Sequence, residues 1–307
     1  MYLGWIFAAI AVVVCVLIAV LLAVAIFRRR PLLKHGAGDH GDVDLHDLQG
    51  SERVGMKWIY IGTGISICIL LAMAVYALVT LNNAAHPPTP AGLTITVIGY
   101  DWWWKVDYDN ADPTQRIVTA NEIHIPVGVP VLLKLDSADV IHAFWVPLLA
   151  GKTQMIPGLT NQQWLQADAP GLYRGQCTQY CGVQHAHMAV EVVAQSMADF
   201  QTWQTAQRAA AKPPQAPIAV AGQKLFNENC AACHTVRGSV AAGAHAPDLT
   251  HLLSRRQIAA GLLTNTPEHL LDWVMHAQQL KSGSRMPDFA LRPNEAAQLS
   301  AYLATLN

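Results

Sequence analysis

Charged residues are scarce in this 307-residue chain: Asp, Glu, Lys and Arg together make up 13%, and the formal net charge is -1. This balance, without a basic patch interleaved with aromatics, gives no sign of nucleic-acid binding, so we expect no nucleic-acid partner. Charge is missing altogether from residues 3–27 and 58–81. Each run exceeds the roughly 20 apolar residues that cross a bilayer as a helix, which predicts two transmembrane helices and excludes a wholly soluble protein.

Positive charge is also missing before the first apolar run, where a signal peptide would carry it. We therefore interpret residues 3–27 as an uncleaved anchor. The basic residues lie between the two runs: Arg28, Arg29, Arg30, Lys34, Arg53 and Lys57. By the positive-inside rule this loop is cytoplasmic, so we expect a multi-pass membrane protein with both termini and everything beyond the second helix outside the cytoplasm.

Beyond the second run the periodicity changes. Short segments over about residues 93–194 alternate apolar with polar residues or are rich in Val, Ile, Thr and aromatics, which predicts a small antiparallel β-sandwich or barrel. From residue 218 the periodicity is helical, with Thr266 as an N-cap and Pro267 and Pro293 in first turns. The expected organisation is a transmembrane hairpin at 1–86, a β-domain at 92–206, a linker containing KPPQAP at 207–217, and an all-helical domain at 218–307.

Cysteine is scarce too, and the six residues fall into three pairs. Cys15 and Cys68 lie in the apolar runs, where a thiol behaves as a small apolar residue. CAACH, residues 230–234, matches the C-x-x-C-H pattern of covalent haem attachment. A thioredoxin-like pair would need a βαβ context that the helical flanks do not offer, and a zinc site would need a second cysteine pair downstream.

A haem at CAACH needs a second axial ligand, and our candidate is Met286 in SGSRMPDF. A His/Met pair suits an electron-transfer haem, because methionine raises the reduction potential and leaves no open site for substrate. Met275 competes, but it lies in a helical pattern, where methionine usually packs in a core. Four histidines are further alternatives: His245, His251, His269 and His276.

The helical segment as a whole resembles a known family. GQKLF, CAACH, APDLT and RMPDF in this order resemble a class I cytochrome c domain over residues 218–307. The resemblance implies an all-α fold and a covalently bound haem c. The residues that would hold it are Cys230, Cys233, His234 and Met286.

The second chemical motif is CTQYCGVQHAHM, residues 177–188. Its two thiols, two histidines and one methionine are soft ligands that suit copper. A blue-copper site uses one thiolate, so the second favours two coppers, with a disulfide between the cysteines as the metal-free alternative. Each copper then needs a histidine, and His142 in SADVIHAFWVP joins His185 as a candidate.

These motifs carry a second resemblance. S-x-D-V-x-H, KTQMIPG and C-x-x-x-C-G-x-x-H-x-x-M resemble the CuA domain of cytochrome c oxidase subunit II, as does the two-helix anchor. The resemblance covers residues 3 to about 206 and implies a cupredoxin β-sandwich. It implies that the thiolates of Cys177 and Cys181 bridge two coppers and that His142 and His185 each bind one of them. Met188 and the main-chain carbonyl of Gln179 would complete the two sites.

Two positions deserve separate treatment. In DWWWK, Trp102 matches the tryptophan at which electrons enter subunit II in proteins of this family. A position in the core or at the membrane interface is the simpler interpretation of such a tryptophan cluster. Alternation along a strand would put Trp102 and Trp104 on one face and Trp103 on the other. At position 179 the family has a glutamate that also binds magnesium. Gln179 keeps the carbonyl but lacks the charge that Mg²⁺ prefers, so the magnesium contact stays in doubt.

Together the resemblances imply subunit II of a caa-type haem-copper oxidase, an oxidoreductase and proton translocase of the respiratory chain. It would carry electrons from a cytochrome c or a quinol–cytochrome c reductase through haem c and CuA to subunit I, which reduces oxygen to water beside further membrane subunits. No oxygen-reducing site is expected in this chain. Two alternatives stay open: a CuA-bearing subunit of a nitric oxide reductase, and a membrane-anchored copper-binding protein without turnover.

Overall fold

The computed structural model describes residues 2–27, 45–112 and 115–307, and the side chains of 4–27, 55–112 and 115–307. It divides into two compact units, residues 1–84 and 85–307. The expected cytoplasmic loop around Arg28, Arg29, Arg30 and Lys34 lies outside the described residues.

Two long apolar helices form the first unit. Helix α1 spans Tyr2–Phe27 and α2 spans Leu45–Ala85. The stretches Gly4–Phe27 and Gly55–Ala85 are long and apolar enough to cross a membrane. Their apolar side chains are exposed, as in helices that lipid covers. The two predicted helices are confirmed, and α2 extends beyond the predicted residues 58–81 at both ends.

The second unit opens with a β-sandwich. Its strands are β1 (Leu93–Tyr100), β2 (Trp103–Tyr108), β3 (Ile117–Ala120), β4 (Glu122–Pro126), β5 (Val131–Ser137), β6 (His142–Phe144), β7 (Thr153–Met155), β8 (Asn161–Leu165), β9 (Gly171–Gln176) and β10 (Ala189–Gln195). One sheet has the order β3-β2-β1-β5-β8, a second has the order β4-β10-β9, and β6 pairs with β7. Alternate residues of β1 and β5 are buried in the core, as the periodicity predicts.

The strand pairing is mixed. Strand β1 pairs in parallel with β5, and β4 pairs in parallel with β10, so the expectation of a wholly antiparallel sandwich is wrong for these pairs. Parallel neighbours need a long crossover, and here several other strands intervene along the chain. Periodicity reports which face of a strand is buried, but it does not report the direction of the neighbouring strand.

Helix α3 (Met197–Arg208) closes the β-domain and leads into the next one. Ser196 caps it by accepting from Asp199 N, and the Trp203 ring stacks on His124 with centroids 4.2 Å apart. Residues 209–216 are not helical. They are bound to the helical domain, since Ala211 N donates to the Arg237 carbonyl at 2.9 Å. The segment predicted as a linker is therefore held in place rather than free.

The helical domain contains α4 (Pro217–Asn229), α5 (Pro267–Met275), α6 (Ala277–Leu280), α7 (Pro293–Leu303) and a short hairpin of β11 (Gln257–Ile258) and β12 (Leu263–Thr264). Helices α4 and α7 approach each other at Gly222, where a side chain would collide with the Gln298 carbonyl. Beside this crossing, the rings of Phe226 and Tyr302 lie 5.3 Å apart. Thr266 caps α5, as predicted.

Candidate metal centre and haem cavity

CTQYCGVQHAHM forms the loop between β9 and β10. Its ends are tied together, since Cys177 N donates to the Met188 carbonyl at 3.0 Å. Gln176, the last residue of β9, donates from Nε2 to the His185 carbonyl at 3.1 Å. Gly182 has a φ of 115°, a conformation that favours glycine. These contacts fold the loop back, so that side chains far apart in the segment meet at its buried side.

The two sulfurs of the loop lie close together without a bond. Sγ of Cys177 and Sγ of Cys181 are 3.7 Å apart, and both side chains are buried. A disulfide would join them at about 2.05 Å. Two sulfurs on one tetrahedral metal, each at about 2.3 Å from it, are about 3.7 Å apart. The spacing is therefore that of two ligands of a common metal.

Each histidine turns its Nδ1 towards a different sulfur. His142, from β6, places Nδ1 3.9 Å from Sγ of Cys177. His185, from the loop itself, places Nδ1 3.5 Å from Sγ of Cys181. A nitrogen and a sulfur on one tetrahedral metal, at about 2.0 and 2.3 Å from it, are about 3.5 Å apart. The structure thus brings together a histidine from a separate strand with the one in the loop.

Met188 and Gln179 complete the cluster. The Met188 sulfur lies 3.9 Å from Sγ of Cys181, and the Gln179 carbonyl oxygen lies 3.2 Å from Sγ of Cys177. The Gln179 group that faces the sulfurs is therefore the main chain and not the amide side chain. All six residues that the resemblance implied as copper ligands converge on the two thiols.

Asp139 orients His142 and shapes its protonation. Its Oδ1 accepts a hydrogen bond from Nε2 at 2.9 Å, which leaves Nδ1 facing the sulfurs. Although burial lowers it, the hydrogen bonds with Asp139 and Cys177 raise the pKa of His142 to about 9. The hydrogen bond from Cys181 lowers the pKa of the Cys177 thiol to about 4 and raises the pKa of Cys181 itself. The lowered pKa favours the thiolate form of Cys177, which is the form that binds metal.

A cavity of about 410 Å³ lies beside α4 and opens between apolar side chains, among them Phe226, Leu252, Leu270, Val274 and Leu299. Cys230, Cys233 and His234 enter its wall from the turn that ends α4. In this turn both Cys233 N and His234 N donate to the Cys230 carbonyl, at 3.1 and 3.0 Å. Two thiols and an imidazole therefore face one apolar space, as covalent haem attachment requires.

The imidazole of His234 is fixed for binding. Its Nδ1 donates to the Pro247 carbonyl at 2.7 Å, so Nε2 is the nitrogen available to a metal. Burial lowers the pKa of His234, which favours the neutral, ligating form. Met286 lines the same cavity, as does His245. Among the described residues, the lining does not include four of the alternative ligands: Met275, His251, His269 and His276.

The β-domain supplies another part of the cavity wall, formed by Asp101, Trp102, Trp103 and Asn121. Trp102 is only 8% exposed, and its Nε1 donates to the Cys181 carbonyl at 2.9 Å. The residue at which electrons were expected to enter therefore touches both the cavity and the cysteine loop.

The three tryptophans of DWWWK occupy different surroundings. Strand β2 begins at Trp103, so Trp102 lies in the turn before it, and strand alternation does not relate Trp102 to Trp104 as we expected. Trp104 is fully buried in the β-domain core, and Trp103 stacks on Tyr100 with centroids 4.8 Å apart.

Two family models match the two domains in turn. The model for cytochrome c oxidase subunit II, periplasmic domain, matches residues 110–196, and the model for cytochrome c matches residues 219–307. Cytochrome c oxidase subunit 2 of Alkalihalophilus pseudofirmus is 33% identical over 289 residues, which cover 91% of this chain and 78% of that protein. The chain belongs to the cytochrome c oxidase subunit 2 family.

Other members of the family are similar over most of their length. Subunit 2 of Bacillus sp. strain PS3 is 28% identical over 278 residues, which cover 84% of this chain and 76% of that protein. Among solved structures, the periplasmic domain of subunit II of cytochrome oxidase from Bradyrhizobium japonicum is 28% identical with a TM-score of 0.37, covering 39% of this chain and 96% of that one.

Membership settles the broad function of the chain. It is an electron-transfer subunit of a cytochrome c oxidase, an oxidoreductase complex, and it carries its own cytochrome c domain. The cytochrome c domain implies haem c, the subunit II domain implies copper, and the periplasmic family model indicates the extracytoplasmic side. The buried sulfur-nitrogen cluster and the apolar cavity with two thiols and His234 fit these two groups.

Sequence reasoning missed two residues that organise these sites. Asp139 stands in S-x-D-V-x-H three residues before His142, and a carboxylate at that spacing could have been read as the partner of a ligating imidazole. Lys281 lies between the two domains, with Nζ 2.8 Å from the Trp102 carbonyl. Nothing in its sequence neighbourhood distinguishes it from a solvated lysine.

Proposed function

We propose that this subunit passes electrons from an external donor, such as a cytochrome c or a quinol–cytochrome c reductase, through haem c and a dinuclear CuA centre to subunit I, which reduces oxygen to water. The observation that carries the proposal is the position of Trp102. It lines the cavity beside Cys230, Cys233 and His234, and its indole donates to the carbonyl of Cys181. A single side chain thereby connects the two candidate sites.

The convergence of side chains at each site supports our proposal for the residues that would hold each group. The copper centre would be held by Cys177, Cys181, His142, His185, Met188 and the carbonyl of Gln179. The haem would be attached at Cys230 and Cys233, with His234 and Met286 as axial ligands. When bound, these groups supply reversible one-electron oxidation and reduction, and a His/Met pair leaves no open haem position for substrate.

A dinuclear centre is favoured over a mononuclear one by the number and pairing of ligands. Two thiols lie 3.7 Å apart, and each has its own histidine at 3.5 to 3.9 Å. One tetrahedral metal would use only four of the six converging ligands, whereas two coppers that share both thiols would use all six. The ligands already converge in the folded chain, and Asp139 fixes one imidazole, so little rearrangement is required when the charge changes.

The family assignment favours an oxygen-reducing partner over a nitric oxide reductase. Copper delivery without turnover is also disfavoured, since the chain has an attached domain with an apolar cavity of about 410 Å³ that Trp102 helps to line. At position 179 an amide replaces a carboxylate, so we propose that this residue contributes no charge to a magnesium site.

The proposed anatomy has four parts. The hairpin of residues 1–86 anchors the subunit in the bacterial inner membrane with both termini outside the cytoplasm, beside subunit I and further membrane subunits. Residues 92–206 form the copper domain, 207–217 the connection and 218–307 the haem domain. Protease protection of both redox domains in inverted (inside-out) membrane vesicles tests the orientation, and their digestion there would overturn it.

Metal analysis with electron paramagnetic resonance tests the proposal. The purified subunit is expected to hold two coppers and one covalent haem, with a mixed-valence copper pair. Cys181→Ser removes one bridging thiol, so the mixed-valence signal is expected to disappear while the haem remains. Cys68→Ser, in a membrane helix, is the matched control and keeps the signal. A wild-type protein with one exchangeable copper would contradict the proposal.

A further inference from the structure

The haem domain meets the copper domain around one buried lysine. Lys281 follows α6 and is 2% exposed. Its Nζ donates to three main-chain carbonyls, those of Trp102 at 2.8 Å, His187 at 2.7 Å and Ala259 at 2.8 Å. The first two acceptors belong to the copper domain and the third belongs to the haem domain. One side chain thus links the tryptophan at the cavity, the copper loop and its own domain.

A lysine in this position is energetically demanding. Removing an ammonium from water is costly unless its donors are satisfied, and among the described residues no carboxylate forms an ion pair with Lys281. Burial lowers its pKa to about 7. The three carbonyls match the three donors of an ammonium group, so the cost is offset only while both domains hold their carbonyls in place.

The loop between β11 and β12 contributes main-chain carbonyls to the same interface. Ala259, Ala260 and Gly261 have φ values of 53°, 61° and 81°, a conformation that non-glycine residues rarely adopt. The Ala259 carbonyl accepts from Lys281, and the Ala260 carbonyl accepts from Ala189 N at 3.0 Å. Ala189 follows the copper loop directly. The strained backbone therefore directs successive carbonyls to the lysine and to the copper domain.

The residues after Lys281 cover the indole of Trp102. A side chain at Gly283 would begin 3.5 Å from the Trp102 ring, so this glycine packs against the ring. The carbonyl of Ser282 accepts from Gln184 Nε2, in the copper loop, at 2.9 Å. The Trp102 face is thus closed by the haem domain of the same chain.

Charged contacts surround this centre. Arg256 pairs with Glu191 at 3.2 Å, and Arg285 lies 3.9 Å from Asp139. Both pairs join the haem domain to the copper domain, but each is partly exposed and therefore weak by itself. The buried lysine at the centre is the better candidate for holding the interface in one geometry.

We propose that Lys281 is a positioning residue that locks the haem domain onto the Trp102 face of the copper domain, so that the attached cytochrome is a fixed donor and not a mobile one on a tether. This inference rests on the proposed function for its effect on electron transfer. The docking itself depends only on the contacts of Lys281.

Hydrogen exchange in the full-length protein tests the docking without reference to cofactors. Lys281→Met keeps the apolar stem and removes the three donors. We expect amide exchange in residues 100–105 and 182–190 to rise by about tenfold or more, because buried carbonyls left unpaired are costly. Lys224→Met makes the same change on the exposed face of α4 and is expected to leave both segments unchanged. Glu191→Gln removes the charge that pairs with Arg256 at the edge of the same interface, and we expect a smaller rise in amide exchange in the two segments.

Electron transfer in the cofactor-loaded protein tests the positioning. In Lys281→Met we expect copper reduction by the haem of the same chain to slow by about tenfold, while the haem and copper spectra stay unchanged and show that both domains are folded. Unchanged exchange in Lys281→Met would overturn the docking, and raised exchange with an unchanged rate would overturn the positioning. A wild-type protein with protected segments but no haem-to-copper transfer would leave the docking intact and contradict the proposed function instead.

Discussion

The indole Nε1 of Trp102 donates a hydrogen bond to the main-chain carbonyl of Cys181 at 2.9 Å. The same tryptophan lines the cavity that Cys230, Cys233 and His234 also line. The two candidate sites, on two domains of one chain, are therefore connected by one aromatic side chain.

Replacing Trp102 should slow transfer between the sites without disturbing either. Trp102→Leu removes the indole ring and its N–H. We expect the rate of haem-to-copper electron transfer to fall by about ten- to a hundredfold, because loss of a positioning contact between reacting groups slows a reaction by factors of this size. Trp103→Leu removes a ring that stacks on Tyr100 in the same cavity wall and is the matched control. Flash reduction followed optically measures both rates, and equal effects of the two variants would argue against a special role for Trp102.

Removing the carboxylate of Asp139 should weaken copper binding. Asp139→Asn keeps the shape but replaces the carboxylate that accepts from His142 Nε2, so we expect copper affinity to fall by about ten- to a hundredfold. Competition with a copper chelator measures the change. Asp136→Asn, three residues earlier on β5, is the control. Equal affinity of the Asp139 variant and the wild type would show that His142 is positioned by packing alone.

Changes at Gln179 should spare the copper. The carbonyl of Gln179 faces Cys177 Sγ at 3.2 Å, and substitution of the side chain keeps that carbonyl. We expect Gln179→Ala to leave the paramagnetic spectrum of the copper pair unchanged. Gln179→Glu adds a carboxylate, the kind of group that Mg²⁺ prefers, and is expected to leave copper unchanged while strengthening binding of Mn²⁺ as a magnesium probe. A lost copper signal in the alanine variant would contradict the main-chain role.

We expect low pH to reduce the stability of the β-domain, because Glu122 is then protonated. This buried carboxylate accepts from His124 at 2.7 Å and from Arg256 N at 3.1 Å. Although burial raises it, the hydrogen bond with His124 holds the pKa of Glu122 below its usual value. A depressed pKa in the folded state stabilises the protein above the unfolded value of about 4.3, and this contribution is lost as the pH falls further.

Unfolding of Glu122→Gln tests that assignment. We expect a loss of about 1–3 kcal/mol in the free energy of unfolding at pH 7, and a loss that shrinks as the pH falls below the unfolded pKa of about 4.3, because the stabilisation from the ionised carboxylate is then lost. Glu228→Gln, on the exposed face of α4, is the control. A difference between variant and wild type that stays constant from pH 7 to pH 3 would exclude the ionised carboxylate as the stabilising group.

The sequence predicted the parts that depend on composition and on local spacing. Uncharged runs identified α1 and α2, because only an apolar helix of that length spans lipid, and CAACH and CTQYCGVQHAHM identified the candidate ligands, because chemistry fixes their residue types. The convergence of His142 with Cys177 across 35 positions was available only from the family resemblance. Spacing along the chain says nothing about which distant strand supplies a ligand.

The relationship between the two domains was not predictable from local pattern. Lys281 is a buried lysine whose partners are main-chain carbonyls, and a carbonyl has no sequence signature. The parallel pairs β1 with β5 and β4 with β10 were missed for a similar reason, since burial periodicity does not encode strand direction. The connecting residues 209–216 have the composition of a flexible linker, yet their backbone is bound to residues such as Arg237.

The central claim is that the electron moves from haem to copper within one chain. The measurement that tests it most directly is the rate of copper reduction after rapid reduction of the haem, followed over a hundredfold range of protein concentration. A fixed donor in the same molecule predicts a single rate that does not depend on concentration. A rate that rises in proportion to concentration, or copper that stays oxidised beside reduced haem, would contradict the claim.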